Sequence, residues 1–465
     1  MSMASHPRYR SLAKVAAHFV DAARNRCGDE QMRLAHQRAA VVAAALITLL
    51  LAGFSEPAPS AIQRFQADRA ALEKDAQRQD WAASVADAER LRDFLNDAPT
   101  SRLEVARAKL RAGDRIGGLV ETTAFLELGE TNAILASPLF QPISQAIKPR
   151  IDENATAISR GQPAFSLSDA SLVAEDIDYD PASRRFFITT ILGKAIVSVD
   201  AAGAQRTFAT SPDGWPMVAL KLDRKRRRLW ASEVAFDGFQ TVPSAAWGRS
   251  VLLEYDLDSA RLLRRLEGPP RSGLGDMALA ANGDPIVSDG DGGGVYRVIR
   301  GVLIRLDHGE FISPQTPTFC DDPSAAFVPD YVRGLARLDL KTGQVRWFDG
   351  AKHALDGIDG LYCRGRTLYA AQNGASPNRV IAFRLNASKT AVIGEEILER
   401  ATLGFGQPTH GVLVGERFYY IANSGWDVLG DHGELKPGAR FTSAVVMRFT
   451  EVNRRGEPAR RQGPT

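Results

Sequence analysis

Residues 356–374 read DGIDGLYCRGRTLYAAQNG. A strand enters at Asp359-Gly360, turns at Arg364-Gly365-Arg366 and returns through Leu368, Tyr369 and Ala370, with the period-two alternation of a hairpin. The hairpin itself has no need of a carboxylate at 359. The same layout recurs in EDIDYDPASRRFFITT, VALKLDRKRRRLWASE, GDMALAANGDPIVSDG, QTPTFCDDPSAAFVPDY and PTHGVLVGERFYYIANSG. Each unit is followed by a further strand pair, such as AIVSVDAAGAQRTFA or GLARLDLKTGQVRWF. Such units, spaced by about 40–50 residues, are the mark of radial repetition. A four-stranded sheet buries both faces only between neighbouring sheets, and a closed ring supplies them. The chain is therefore expected to be mainly β: a six-bladed β-propeller over 160–453, with AFSLSD at 164–169 as the outer strand of the last blade.

In such a ring the innermost strand of each blade faces the central channel. Aligning the six strand entries puts Glu175, Val218, Gly275, Gln315, Asp359 and Thr409 at equivalent places. Two carboxylates and an amide meeting at the axis repel and desolvate one another unless a cation sits between them. All-oxygen ligation suits Ca²⁺, Mg²⁺ or Mn²⁺ rather than a soft metal. A plainer reading stands beside this one: propeller channels hold water, and Asp-Gly before a strand is common turn chemistry.

Residues 62–150 lack strand alternation and are rich in Ala, Leu, Glu and Arg. Two segments overlay with a shift of about 34 residues, the tetratricopeptide period. Asp80 then matches Asp114, Val85 matches Leu119, and Leu91 matches Phe125. Helix pairs of this kind present a groove to a protein partner; the alternative is a helical cap packed on the propeller. Residues 1–61 carry AAVVAAALITLLLAGF (39–54) behind Arg33, His36 and Arg38, with Ala58 and Ser60 at the spacing of a cleavage site. This is the layout of a secretory signal peptide, with an uncleaved anchor as the alternative. A start at Met32 would make the signal ordinary. Export to the periplasm or cell envelope is expected, with membrane contact only through that segment and a flexible tail over 454–465.

The formal charge is +3 and the basic run Arg224–Arg228 is short, which argues against a nucleic-acid partner. None of the three cysteines has metal-site spacing. A disulfide between Cys320 and Cys363 is disfavoured, because similar points in neighbouring repeats should lie too far apart. GDGGGV (290–295) joins two strands and reads as a turn rather than a phosphate cradle. Trp215, Trp247 and Trp426 fall near loops, where they would either line a mouth or pack.

From about 165 to 450 the chain resembles the gluconolactonase/regucalcin (senescence-marker-protein) family of six-bladed propellers. AEDIDYDPASRRFF, LGDMALAANGDPIVSDGDGGGVYRV, SPQTPTF, IDGLYCRGRTLYAAQNG and PTHGVLVGERFYYIANSGWD carry the resemblance. It implies one divalent cation in the channel, calcium first and Mg, Mn or Zn as alternatives. The ligands it implies are Glu175, Asp359 and Gln315, the last replacing a family asparagine with a longer amide. A second family asparagine falls at Gly275, with Asp276 beside it as a fourth candidate ligand of the ion. The implied reaction is hydrolysis of a sugar lactone or small ester. Asp359 would ligate the ion and act as general base, with His410 as proton carrier or hydrogen-bond donor. The helical repeats resemble those of an exported bacterial subgroup. The competing reading is a non-catalytic envelope scaffold.

Overall fold

The computed structural model describes residues 58–450, apart from Asn132, Ala133, Ala201, Gly350 and Leu403. The expected signal or anchor segment, the alternative start and the C-terminal tail lie outside the described residues. No described helix is long and apolar enough to cross a membrane.

Four antiparallel helices come first: α1 (Ala61–Gln77), α2 (Trp81–Phe94), α3 (Pro99–Arg111) and α4 (Arg115–Glu127), with α5 (Ser144–Asn154) after two short 3₁₀ turns. Their starts are written in the sequence. Ser60 and Gln63 form a capping box on α1, and Asp80 and Asp114 cap α2 and α4 through the amides of Ala83 (3.1 Å) and Gly117 (2.8 Å). The matched pair Leu91 and Phe125 is buried in both helices.

Two short strands follow, β1 (Ile158–Ser159) and β2 (Gln162–Ser166), and then the ring. Blade 1 is β3 (Ala174–Asp180), β4 (Arg185–Thr190), β5 (Ala195–Asp200) and β6 (Gln205–Thr210). Blade 2 is β7 (Met217–Asp223), β8 (Arg228–Ala235), β9 (Arg249–Asp256) and β10 (Leu262–Glu267). Blade 3 is β11 (Leu274–Leu279), β12 (Pro285–Asp289), β13 (Gly294–Ile299) and β14 (Val302–Arg305). Blade 4 has β15 (Ala325–Asp330), β16 (Gly334–Asp339) and β17 (Val345–Trp347), its inner edge reduced to the bridges Pro314–Asp330 and Thr318–Phe327. Blade 5 has β18 (Ile358–Arg364), β19 (Thr367–Gln372), β20 (Arg379–Leu385) and β21 (Val392–Arg400), with β1 added outside β21. Blade 6 has β22 (Gly411–Val414), β23 (Arg417–Ile421) and β24 (Val445–Thr450). β2 pairs antiparallel with β24, so a strand from before the first blade closes the last one, as expected.

Hydroxyls peg the blades together around the channel. Thr189 donates to the carbonyl of Val218 (2.8 Å), Ser232 to Gly275 (3.0 Å), Ser288 to Gln315 (2.6 Å) and Thr409 to Glu175 (2.7 Å). Each acceptor is an axial residue of another blade, so the positions facing the channel are fixed by buried bonds. The basic run is absorbed locally: Arg226 pairs with Asp223 (2.8 Å), Arg227 with Asp180 and Asp258, and Arg228 with Asp256 (3.0 Å).

The expectation for the cysteines is corrected. Cys320 and Cys363 form a disulfide with a Cα–Cα separation of 5.3 Å. Inner strands of adjacent blades converge on the axis, so equivalent points approach far more closely than blade walls do. The bond closes a 43-residue loop between blades 4 and 5. Replacing both cysteines by serine is expected to cost about 2–4 kcal/mol of unfolding free energy. Reductant should lower the wild-type transition by the same amount, and an unchanged transition would contradict this.

Within blade 2, Glu233 is fully buried beside Asp213, and its Oε1 has no hydrogen-bond partner. Burial and the neighbouring Asp213 carboxyl raise its pKa to about 8. A raised acid contributes its stability in full below its unfolded pKa of about 4.5, and loses it as pH rises through about 8. Glu233→Gln mimics the protonated form, so it should match wild type in denaturant melts at pH 5 and exceed it at pH 8.5. Parallel curves at both pH values would refute the assignment.

Candidate active site at the channel mouth

In four blades the pairing of the inner strand with its neighbour slips at the entry. The slips lie between Ala174 and Ile177, Met217 and Leu220, Leu274 and Met277, and Ile358 and Gly360. Such bulges bend a strand and re-aim its side chains. The slipped residues include Glu175, Val218, Gly275 and Asp359, all of which face a cavity of about 1090 Å³ at one mouth of the channel. Gln315 joins them from blade 4, whereas Thr409 is fully buried and binds the Glu175 carbonyl.

Glu175 and Asp359 are 7% and 8% exposed. Glu175 Oε2 accepts from the Trp426 indole, and Asp359 Oδ2 accepts from Asn373 Nδ2 at 2.6 Å. The Tyr331 hydroxyl donates to Asn373 Oδ1 at 2.9 Å and fixes that amide. Glu175 Oε1 and Asp359 Oδ1 have no partner among the described residues. Burial, and then the charge of Asp359, hold the Glu175 carboxyl well above its ordinary range. Burial also raises Asp359 to about 6, with the positive charge of His410 opposing it and Asp276 adding to it.

His410 stands behind this pair, 1% exposed, with Nδ1 2.9 Å from the Glu175 carbonyl and Nε2 2.9 Å from Asp276 Oδ1. Both nitrogens face acceptors, so both carry protons and the ring is a fixed imidazolium. Burial alone would lower its pKa, but the carboxylates of Asp276, Asp176 and Asp359 outweigh burial and raise it well above the usual histidine value. Asp276 spends its other oxygen on the Thr316 hydroxyl (2.9 Å). Thus Asp276 and His410 neutralise each other.

A ligand atom each from Glu175, Asp359 and His410 lie within 4.8 Å of one another. With both histidine nitrogens committed, the donors left open are the two carboxylate oxygens, and Gln315 lines the same cavity with no partner on its amide oxygen among the described residues. Its Nε2 donates to Ser313 Oγ (3.2 Å). This hard, negative donor set fits a divalent cation. There is room for a ligand as well, since a Cβ at Gly275 would meet nothing closer than 3.7 Å.

Two structures narrow the mouth. Loops of blades 2 and 6 meet above blade 1: Gln240 N donates to His432 O (2.9 Å), and the Phe236 and Trp426 rings lie 6.1 Å apart at 84°. On the opposite side α1 docks through Ala61 N to Gly309 O (2.8 Å), and Gln66 joins the cavity wall. The helical segment is anchored again behind α4. Fully buried Arg379 binds Glu130 Oε1 (2.9 Å), Gly129 O (3.0 Å) and Gln372 Oε1 (2.7 Å).

Glu175, Gln315, Asp359 and Asp276, the expected ligands, all line the cavity, but both oxygens of Asp276 are committed to His410 and Thr316, and His410, the expected proton carrier, stands behind the pair with both nitrogens committed. Sequence reading missed Asn373, although the Asn-Gly ending of the opening stretch marks that strand end, and it missed Tyr331. The 290–295 turn is a turn as expected, yet Gly290 and Asp291 line the cavity. Trp247 and Trp426 line the mouth, while Trp215 is buried in the blade 1–2 core.

The fold and site define a six-bladed β-propeller with a buried acidic centre at the channel mouth. No protein-family model and no curated protein matches the chain. Among solved structures it is similar to regucalcin, a calcium-binding protein from Agrobacterium tumefaciens, with 17% identity over 63% of this chain and 95% of that one, TM-score 0.44. It is also similar to a gluconolactonase from Xanthomonas campestris (12% identity, 64% and 100% covered, TM-score 0.43). A third is virginiamycin B lyase from Staphylococcus aureus (14%, 58% and 85%, TM-score 0.41). At such distances the chemistry rests on the residues themselves.

Proposed function

We propose that the chain is an exported hydrolase of a lactone or small ester that uses a divalent cation, calcium first, at the channel mouth. The observation that carries this reading is the pair of unpartnered oxygens of Glu175 and Asp359, buried together and open to a large cavity. Glu175, Asp359 and Gln315 would hold the ion. When bound, it supplies Lewis-acid polarisation of the substrate carbonyl. Asp359, oriented by Asn373 and Tyr331, takes the proton from the attacking water. His410 and Asp276 act behind it as positioning residues, fixing the Glu175 backbone and the local charge. The Cys320–Cys363 disulfide supports export, because such bonds persist in oxidising compartments.

The test is hydrolysis of a panel of sugar lactones and aryl esters by chelator-stripped protein, before and after adding Ca²⁺, Mg²⁺, Mn²⁺ or Zn²⁺. Turnover restored by one of these ions supports the reading; no turnover with any ion sinks it. A second reading, a partner-binding surface on the helical segment, is supported by Ile116 and Val120. They lie one turn apart on α4 and are 79% and 60% exposed.

A further inference from the structure

One side of the cavity, its loop-lined lobe, holds residues that the hydrolytic centre does not use. Loop residues Phe236, Asp237 and Trp247 of blade 2 line it, with Asp291 of blade 3 and Trp426 and Asp431 of blade 6. The Phe236 and Trp426 rings meet nearly at right angles and form an aromatic corner, and Trp247, 43% exposed, lines the same cavity. None of the three aspartates has a hydrogen-bond or ion-pair partner among the described residues. Arg271 is the single lysine or arginine on the whole lining, and it pairs with none of them. The lobe is continuous with a built centre: Glu175 and Asp359, each more than nine-tenths buried, turn unpartnered oxygens into the same cavity. Trp426 joins the two regions, with its ring in the corner and its indole N–H on Glu175.

Unpaired carboxylates in a partly enclosed space repel one another, and burial together with the charge of Asp237 already raises the Asp291 pKa. A cation relieves that repulsion, and aromatic faces add attraction of about 0.5–2 kcal/mol per ring. Neutral hydroxyls would do neither. We propose that this lobe binds an organic ammonium group, so that the substrate is an ester or lactone carrying a protonated or quaternary amine. The substrate part of this inference rests on the hydrolase reading; the ammonium site itself does not.

The test uses the full chain in chelator, where the metal centre plays no part. Choline and its neutral carbon isostere 3,3-dimethylbutanol are titrated while tryptophan fluorescence and heat are recorded. Choline is expected to bind at least about tenfold more tightly, a difference of about 1.4 kcal/mol. The double variant Asp237→Asn/Asp291→Asn should lose that preference. The replacements are nearly isosteric and break no bond to a described residue, and a melting curve no lower than wild type confirms the fold. Phe236→Ala should weaken choline without affecting the isostere equally. Equal affinity for the two probes, or a preference that survives the double variant, overturns the proposal. So does binding of Mn²⁺ alone through Asp237 and Asp291 without any choline binding. Loss of lactone hydrolysis with choline binding intact would instead remove the hydrolase reading alone.

Discussion

Asp359→Asn is expected to abolish the stabilisation by divalent cations and to lower kcat for ester or lactone hydrolysis by about 10²–10⁴-fold, the usual worth of a positioned base. Asparagine keeps the shape and still accepts the 2.6 Å bond from Asn373, so the loss is chemical rather than structural. The variant also carries an unusual signature. Glu175 and Asp359 are like charges in a buried space, and neutralising one removes their repulsion. In chelator the variant should therefore melt above the wild type, while added cation raises only the wild type, as native-state binding requires. Asn373→Ala, which frees the carboxylate but keeps its charge, should retain the cation shift and lose part of kcat. A variant that melts below the wild type in chelator, or keeps its cation shift, would contradict the assignment.

Arg379→Leu is expected to cost about 3–5 kcal/mol of unfolding free energy, the usual penalty for breaking a buried ion pair from one side. The guanidinium is fully buried and held by Glu130, Gly129 and Gln372, so its removal strands the Glu130 carboxylate in the interior. The double variant Arg379→Leu/Glu130→Leu removes both charges and should recover much of the loss. Limited proteolysis reports the location: in the single variant, cleavage should appear first between α4 and β1. A cost below about 1 kcal/mol, with no new cleavage, would mean that the clamp does not hold the helices to blade 5.

The ring was legible because strand alternation and a repeat of fixed length are local patterns. The same alignment brought Glu175, Gln315 and Asp359 to one place, since position along an inner strand is a register property. Asp276 and His410 were legible as residues but not as partners, because their bond spans blades 3 and 6. The roof over the mouth was not legible, since Phe236 and Trp426 meet through loops with no period. The disulfide was misjudged for a geometric reason: equivalent points on adjacent inner strands converge toward the axis. The helical region was read both as a groove and as a cap, and the structure shows how much of it is spent on the propeller. Gln66 on the cavity and Glu130 on Arg379 are long-range placements that helix periodicity does not encode.

The most direct measurement is the anomalous scattering of a crystal grown with Mn²⁺. The account predicts one strong peak at the channel mouth, bonded to Glu175 Oε1 and Asp359 Oδ1 at about 2.0–2.6 Å, with His410 still bound to Asp276. A peak ligated by His410, or no peak at the two carboxylates, would contradict it.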